Sequence, residues 1–199
     1  DDQWASAQQP EFLGLLAEEI GCSPADIVDF ELSLFDTQGA TLSGRHKEFI
    51  AGSRLDNLAS CFVAIESLIT HADAPRFAED DMVSLVALYD HEEVGSNSNT
   101  GAGSPMMRDA VSRISDALSS SNDSELYKVA LSKSLILSID MAHAQHPNYA
   151  AKHEKGHAPQ MNCGVVIKSN SNQRYATTGV TGYIIRELAR KAALPIQEF

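Results

Sequence analysis

Apolar positions follow two rhythms along this chain, and the changes between them outline its elements. Phe12, Leu15, Leu16 and Ile20 form an imperfect i, i+3, i+4 stripe. That stripe predicts a helix over Glu11–Ile20, stopped by Gly21. Ser23-Pro24-Ala25-Asp26 has the form of a short helical turn, an N-cap followed by proline. Val28, Phe30, Leu32 and Leu34 alternate with polar residues, which predicts a half-buried antiparallel strand. Phe49-Ile50-Ala51 reads as a short strand. From Asn57 to Ala72 the period is helical again, with Leu58, Cys61, Phe62, Ile65, Leu68 and Ile69 on one face. Two continuous apolar runs, Val83–Tyr89 and Leu135–Ile139, have the length of buried strands. Between them Ser104-Pro105 opens a helix whose inner face is Met107, Ala110, Val111, Ile114 and Leu118. An exposed loop at 119–124 and a short helix over Glu125–Ser134 follow. Gly164–Lys168 is a further strand, and Gln173–Ala176 a candidate for the next. Thr181 is placed to cap a last helix with Ile184, Ile185, Leu188 and Ala192 facing in.

This order of helices and strands predicts an α/β fold, a sandwich of helices around a partly parallel central sheet. Pro195-Ile196-Gln197-Glu198-Phe199 reads as the opening of one more strand, and the first residue is Asp1 rather than methionine. Both ends therefore suggest an internal piece of a longer polypeptide. The 199 residues carry a net charge of −12, which argues against nucleic acid or an acidic membrane as the main partner. No apolar run approaches the roughly 20 residues that span a bilayer, and no signal-peptide pattern is visible. Three cysteines, Cys22, Cys61 and Cys163, form no close pair, which fits a reduced, cytoplasmic setting. Cys61 reads as core filler on its helix.

The chemistry gathers where apolar runs end in acids. Asp90-His91-Glu92-Glu93-Val94-Gly95-Ser96 follows the 83–89 run, which places Glu92 and Glu93 where open α/β sheets hold their sites. Adjacent carboxylates repel, so the pair is either a solvated acidic turn or the neighbour of a cation. Asp56 stands at the start of the 57–72 helical pattern, as an N-cap, a metal ligand or both. Asp140 ends the 135–139 run. Three such centres suggest one carboxylate-lined crevice, and a carboxylate can bind zinc or bridge two metals. Of the seven histidines, His143 follows Asp140 closely enough to reach substrate or metal. His46 and His71 lie in surface contexts, and alternation turns His91 away from the glutamate pair. His153 and His157 have the i, i+4 spacing of a zinc pair, but Gly156 and Pro159 favour a loop. The Gly- and Ser-rich segment 94–103 lacks a Gly-Lys-Ser/Thr ending, which excludes a Walker loop and leaves a site-bordering one.

Taken together these motifs resemble the aspartyl aminopeptidase family of two-zinc exopeptidases. The residues that carry the likeness are Asp36-Thr37-Gln38, Arg54-Leu55-Asp56-Asn57-Leu58, Asp90–Ser96, Asp140-Met141-Ala142-His143-Ala144 and His146-Pro147-Asn148-Tyr149. Val166-Ile167-Lys168 and Asn172–Ala176 add to it. The resemblance implies that Asp56 bridges two zinc ions, that Asp140 binds one and Glu93 the other, and that Glu92 is the general base. His143, Lys168 and Glu92 correspond to substrate-binding positions. Lys168 would meet the acidic side chain of an N-terminal Asp or Glu; its plainer reading is a surface lysine on a strand. The resemblance also implies peptide substrates with acidic N-termini and a dodecameric homo-oligomer. It makes residues 1–44 the end of an inserted β-rich oligomerisation domain and 45–199 part of the catalytic domain. The family pattern further includes one histidine on each zinc and a third from a neighbouring subunit, and none of the seven here sits in a matching context. The competing readings are a two-zinc exopeptidase of other specificity and a non-catalytic assembly subunit that retains the acidic cluster. A magnesium-dependent phosphate switch is more distant, since it has no use for the glutamate pair.

Overall fold

Local signals decide most of the helices. The computed structural model describes residues 3–120 and 123–199. Helices α1 (Gln3–Ala7) and α2 (Pro10–Ile20) come first. Pro10 sits in the opening turn of α2, where a missing N–H is harmless. Gly21 ends the helix in the left-handed region and donates its N–H to the Ala17 carbonyl. Leu13 and Ala17 are buried on the inner face of α2. The Phe30 ring packs edge-on against Trp4 and Phe12, with centroids 5.7 and 5.6 Å away. A 3-10 turn at Pro24–Asp26 is capped by Ser23, as the sequence predicts.

The alternating segment 28–34 does not become a strand. Among the described residues it has no ladder partner, and Val28, Leu32 and Leu34 stay exposed. Alternation supplies an apolar face, but a strand also needs a neighbouring edge to take its N–H and C=O groups. Strands β1 (Thr41–Ser43) and β2 (Phe49–Ala51) pair antiparallel, Thr41 opposite Ala51. Asp1–Ser53 forms one compact unit and Arg54–Phe199 a second.

In the second unit, α3 (Leu55–Ala72) is followed by a 3-10 turn at Pro75–Glu79. Helix α4 (Met106–Leu118) packs on α5 (Leu126–Ser132). Met107, Ala110, Val111 and Ile114 are half-buried, while Leu118 is exposed. The loop expected at 119–124 includes residues 121 and 122, which lie outside the described residues. Strand β3 (Val165–Ile167), helix α6 (Gly179–Lys191) and strand β4 (Ile196–Glu198) make a parallel strand–helix–strand unit, Val165 opposite Ile196. Gly164 precedes β3 at φ 103°, where a Cβ would lie 2.1 Å from the Pro195 carbonyl oxygen. Only glycine fits there. The cap of α6 is Thr178 rather than Thr181. Thr178 accepts the Thr181 N–H, and the Thr181 hydroxyl accepts the Thr178 N–H in return.

Three further expectations fail in the same way. The runs 83–89 and 135–139, and the candidate at 173–176, form no ladder among the described residues. Ile136 and Val83 remain exposed, as do Leu58 and Phe62 on the expected inner face of α3. Cys61 is half-buried rather than a core residue. Parallel pairing is non-local, so apolar runs become strands only where another segment supplies the facing edge. The described residues thus form a mixed α and β structure with two two-stranded sheets. No helix among them is long and apolar enough to cross a membrane.

Candidate metal centre

Two of the three acidic centres meet in the second unit, and the charge of the third, at Glu93, is felt there. Asp56 lies at the entry of α3, but its backbone is not helical (φ −85°, ψ 109°), and Arg54 before it is left-handed at φ 59°. The Asp56–Asn57 peptide is cis. Arg54, where α3 opens, makes no side-chain cap bond. The Asp56 carboxyl meets that of Asp140. Asn57 fastens the two segments together, since its Nδ2 donates to the Ile139 carbonyl at 3.0 Å. The Asn57 Oδ1 is buried without a partner.

Charge explains how the group is balanced. Desolvation raises the Asp56 carboxyl above the ordinary carboxylate value, and the Asp140 hydrogen bond and the charges of Asp140 and Glu93 add to this. Lys168 opposes the rise. For Asp140 burial also pulls upward, but the bond from Lys168 and the contact with Asp56 hold it below the ordinary value. Lys168 follows β3 directly. Its Nζ donates to Asp140 Oδ2 at 3.1 Å and to the Met141 carbonyl at 2.6 Å, and lies 5.6 Å from the centre of the Tyr175 ring. Lys168 is therefore tied into the acidic group rather than loose on the surface. Its side chain is 19 % exposed.

The remaining candidates are placed less closely. Glu92 is exposed at the turn of the 90–103 loop, where its carbonyl accepts the Gly95 N–H. His143 is exposed beyond Asp140. Among the described residues no hydrogen bond joins either side chain to Asp56, Asp140 or Lys168. The other histidines are engaged elsewhere. His71 Nε2 lies 2.9 Å from Asp80 Oδ2, His91 Nδ1 2.7 Å from Ser98 Oγ, and His146 accepts the Asn148 N–H. His153 lies at the exit of the Pro147–Lys152 turn and His157 in the loop after it, outside any helix. Sequence reasoning missed Asn57 and Tyr175 as neighbours of the group. Their signal was adjacency to Asp56 and to Lys168, which becomes visible only once the segments meet.

The donor set fits a divalent cation in chemistry: hard carboxylate oxygens, crowded enough to repel one another, with a lysine ammonium already serving as counter-charge. It makes only the carboxylate share of a site: among the described residues no three His, Cys, Asp or Glu side chains close on one point.

Carboxylates gathered on a mixed α and β scaffold suit a metal-dependent hydrolase. Over residues 1–199 the sequence matches the family described as Aminopeptidase I zinc metalloprotease (M18), and the chain belongs to that family. It is 50 % identical over 188 residues to a probable aspartyl aminopeptidase of Ricinus communis, covering 94 % of this chain and 38 % of that protein. It is 44 % identical to the aspartyl aminopeptidase of Caenorhabditis elegans, covering 94 % and 39 %. Among solved structures, the Ape4 subunit in the cryo-EM structure of the Ape4 and Nbr1 complex superposes with a TM-score of 0.89 at 39 % identity, covering 96 % of this chain and 37 % of that one. The S. cerevisiae mApe1 dodecamer superposes with a TM-score of 0.84 at 32 % identity, covering 95 % and 43 %. The chain thus spans about two-fifths of the length of these relatives.

Proposed function

We propose that the polypeptide carrying this sequence is an aspartyl aminopeptidase, which releases N-terminal Asp or Glu from peptides. The observation that carries the reading is the meeting of Asp56 with Asp140, under the charge of Glu93 and with Lys168 bonded to Asp140. In this reading Asp56, Glu93 and Asp140 would hold two zinc ions, with Asp56 shared between them. Bound zinc supplies a nucleophile at neutral pH and polarises the scissile carbonyl.

The chain's own residues do the rest. Glu92 takes a proton from the attacking water and returns it to the departing amine. Lys168 has three N–H donors and spends two on Asp140 and Met141. The ammonium would also meet the side-chain carboxylate of the substrate's first residue. His143 lies on the same segment as Asp140 and borders the substrate. In the same reading the central sheet is completed into a helix–sheet–helix sandwich in the full subunit. Residues 1–44 belong to an inserted oligomerisation domain and 45–199 to the catalytic domain. A dodecameric homo-oligomer is supported by the likeness to the mApe1 dodecamer. A cytoplasmic setting is supported by three free cysteines.

The test is Glu92→Gln in the full polypeptide, assayed on an N-terminal Asp peptide with zinc content measured in parallel. Turnover should fall by about 10²–10⁴-fold, the usual worth of a general base, with zinc retained. Undiminished turnover would remove Glu92 from the role. If an N-terminal Leu peptide is cut faster than the Asp peptide, the specificity is that of another two-zinc exopeptidase. If neither is cut, the chain is a non-catalytic subunit.

A further inference from the structure

We propose that His91 is a positioning residue: its ring clasps the 90–103 loop and so fixes Glu92 and Glu93 at the site. The inference rests on the functional reading above, because it assigns what holds those two carboxylates. The loop closes on itself at several levels. The Asp90 N–H donates to the Thr100 carbonyl at 3.1 Å, the Ser96 N–H to the His91 carbonyl at 2.9 Å, and the Gly103 N–H to the Ser96 carbonyl at 2.9 Å. The two limbs touch at backbone, since a Cβ on buried Gly101 would lie 2.2 Å from the Ser96 carbonyl oxygen.

His91 stands at the hinge of this loop, one residue before Glu92. Its backbone is left-handed at φ 60°, a region unfavourable to most side chains that persists where surroundings enforce it. What enforces it is the ring. Nδ1 lies 2.7 Å from Ser98 Oγ and 3.4 Å from Thr100 Oγ1, and the two hydroxyls are 3.4 Å apart. The imidazole thus bridges the entry of the loop to its far limb. The order Asp90, His91, Ser98 is not a nucleophile relay. Asp90 Oδ2 is 3.9 Å from His91 Nε2, beyond hydrogen-bond range, and Asp90 Oδ1 accepts the His91 N–H at 2.8 Å instead. The contact holds a shape and moves no proton.

Three variants of the full, zinc-loaded polypeptide separate this role from general stability. Ser98→Ala removes the ring's nearest partner and leaves the backbone alone. His91→Ala removes both the clasp and a residue tolerant of the left-handed region. His91→Asn keeps that tolerance and offers an amide to Ser98. On an N-terminal Asp peptide, Ser98→Ala should lower kcat about tenfold and His91→Ala about a hundredfold, the scale of a misplaced catalytic group. KM should stay within about twofold, since the acid-binding lysine is elsewhere. His91→Asn should recover most of the loss. In parallel, amide hydrogen exchange at Gly95, Ser96 and Gly103 should quicken in Ser98→Ala while exchange in α3 is unchanged. If exchange and kcat are both unchanged in Ser98→Ala while Glu92→Gln is inactive, the clasp is wrong and the functional reading stands. If the unsubstituted protein cuts no Asp peptide, the functional reading fails, and unaltered exchange in Ser98→Ala then rejects the clasp on its own.

Discussion

Lys168 shows how much a single side chain can settle. An ammonium between Asp140 and the Met141 carbonyl, over the Tyr175 ring, is held by three different interactions. It favours the charged forms of the two aspartates, which burial and crowding disfavour. In the functional reading proposed above, its ammonium also meets an acidic first residue. A hydrogen bond to a charged partner contributes about 1.5–3 kcal/mol, or about 10- to 100-fold in binding. Lys168→Met should therefore raise KM for an N-terminal Asp peptide by that factor more than for an N-terminal Leu peptide, which shares only the loss at the aspartates. Lys168→Arg, with a fork of donors in place of a point charge, should restore part of it. The check is the ratio of kcat/KM for the two peptides. An unchanged ratio would mean that Lys168 serves only the aspartates.

Elements differ in how much of them a sequence can announce. Helices α2, α3, α4 and α6 were readable because their signals are local: an i, i+4 stripe, a proline at the start, a glycine at the end. Even the one misplaced cap, Thr178 for Thr181, lies within a turn, because the two residues form one reciprocal box. Of the paired strands, β2, β3 and β4 were readable as short apolar segments, whereas β1 was not, because its residues lie among turn signals and show their strand only once β2 pairs with them. Runs 83–89 and 135–139 have strand composition, but no segment among the described residues supplies their edges. Asp140 and the Glu92–Glu93 pair stood out because they follow apolar runs, and Asp56 because it opens a helical pattern; that Asp56 and Asp140 meet appears only in the structure. The Lys168–Asp140 pair, 28 residues apart, and the His91–Ser98 contact were not readable either, because spacing alone says nothing about which loops meet. The end of α3 gives an element-scale prediction of another kind. His71 in its last turn meets Asp80, which also accepts the Met82 N–H, and His71 packs edge-on to Phe77. The Met82 bond, and then His71, hold the Asp80 carboxyl below its ordinary value against a weaker upward pull from burial. A depressed carboxylate stabilises the fold above the ordinary pKa of 3.8 and loses that contribution as pH falls through the folded value. Asp80→Asn should thus lower the thermal midpoint near pH 6, and the gap from the unsubstituted protein should close as the pH is taken below 3.8. A gap that is constant with pH would point to packing rather than charge.

At the scale of the whole molecule the balance of surfaces is unusual. A folded chain of 21.5 kDa should expose about 9,200 Å². This one exposes 16434 Å². The difference is several times the 600–1,500 Å² or so that an interface between two units buries. Phe62, Leu58, Ile136, Leu137 and Val83 are all more than half exposed, on elements where the sequence places them inward. Leu13, Ala17, Ile167 and Ala189 are the buried apolar residues among those described. At about 25 cal/mol per Å² of apolar surface, cover for those faces is worth many kcal/mol, more than the whole margin of a typical domain. Relatives of more than twice this length have further chain from which such cover can come. The 199 residues produced alone should accordingly bind an apolar dye such as ANS, unfold without a sharp thermal transition, and self-associate with rising concentration. Sedimentation velocity and dye fluorescence on the 199-residue chain and on the family-length polypeptide decide the matter. The short chain should sediment as a broad, concentration-dependent series, and the long one as a single dye-silent species. A monomeric, dye-silent short chain with a cooperative transition would mean that the faces of α3 and of the 83–89 and 135–139 runs close on one another without further help.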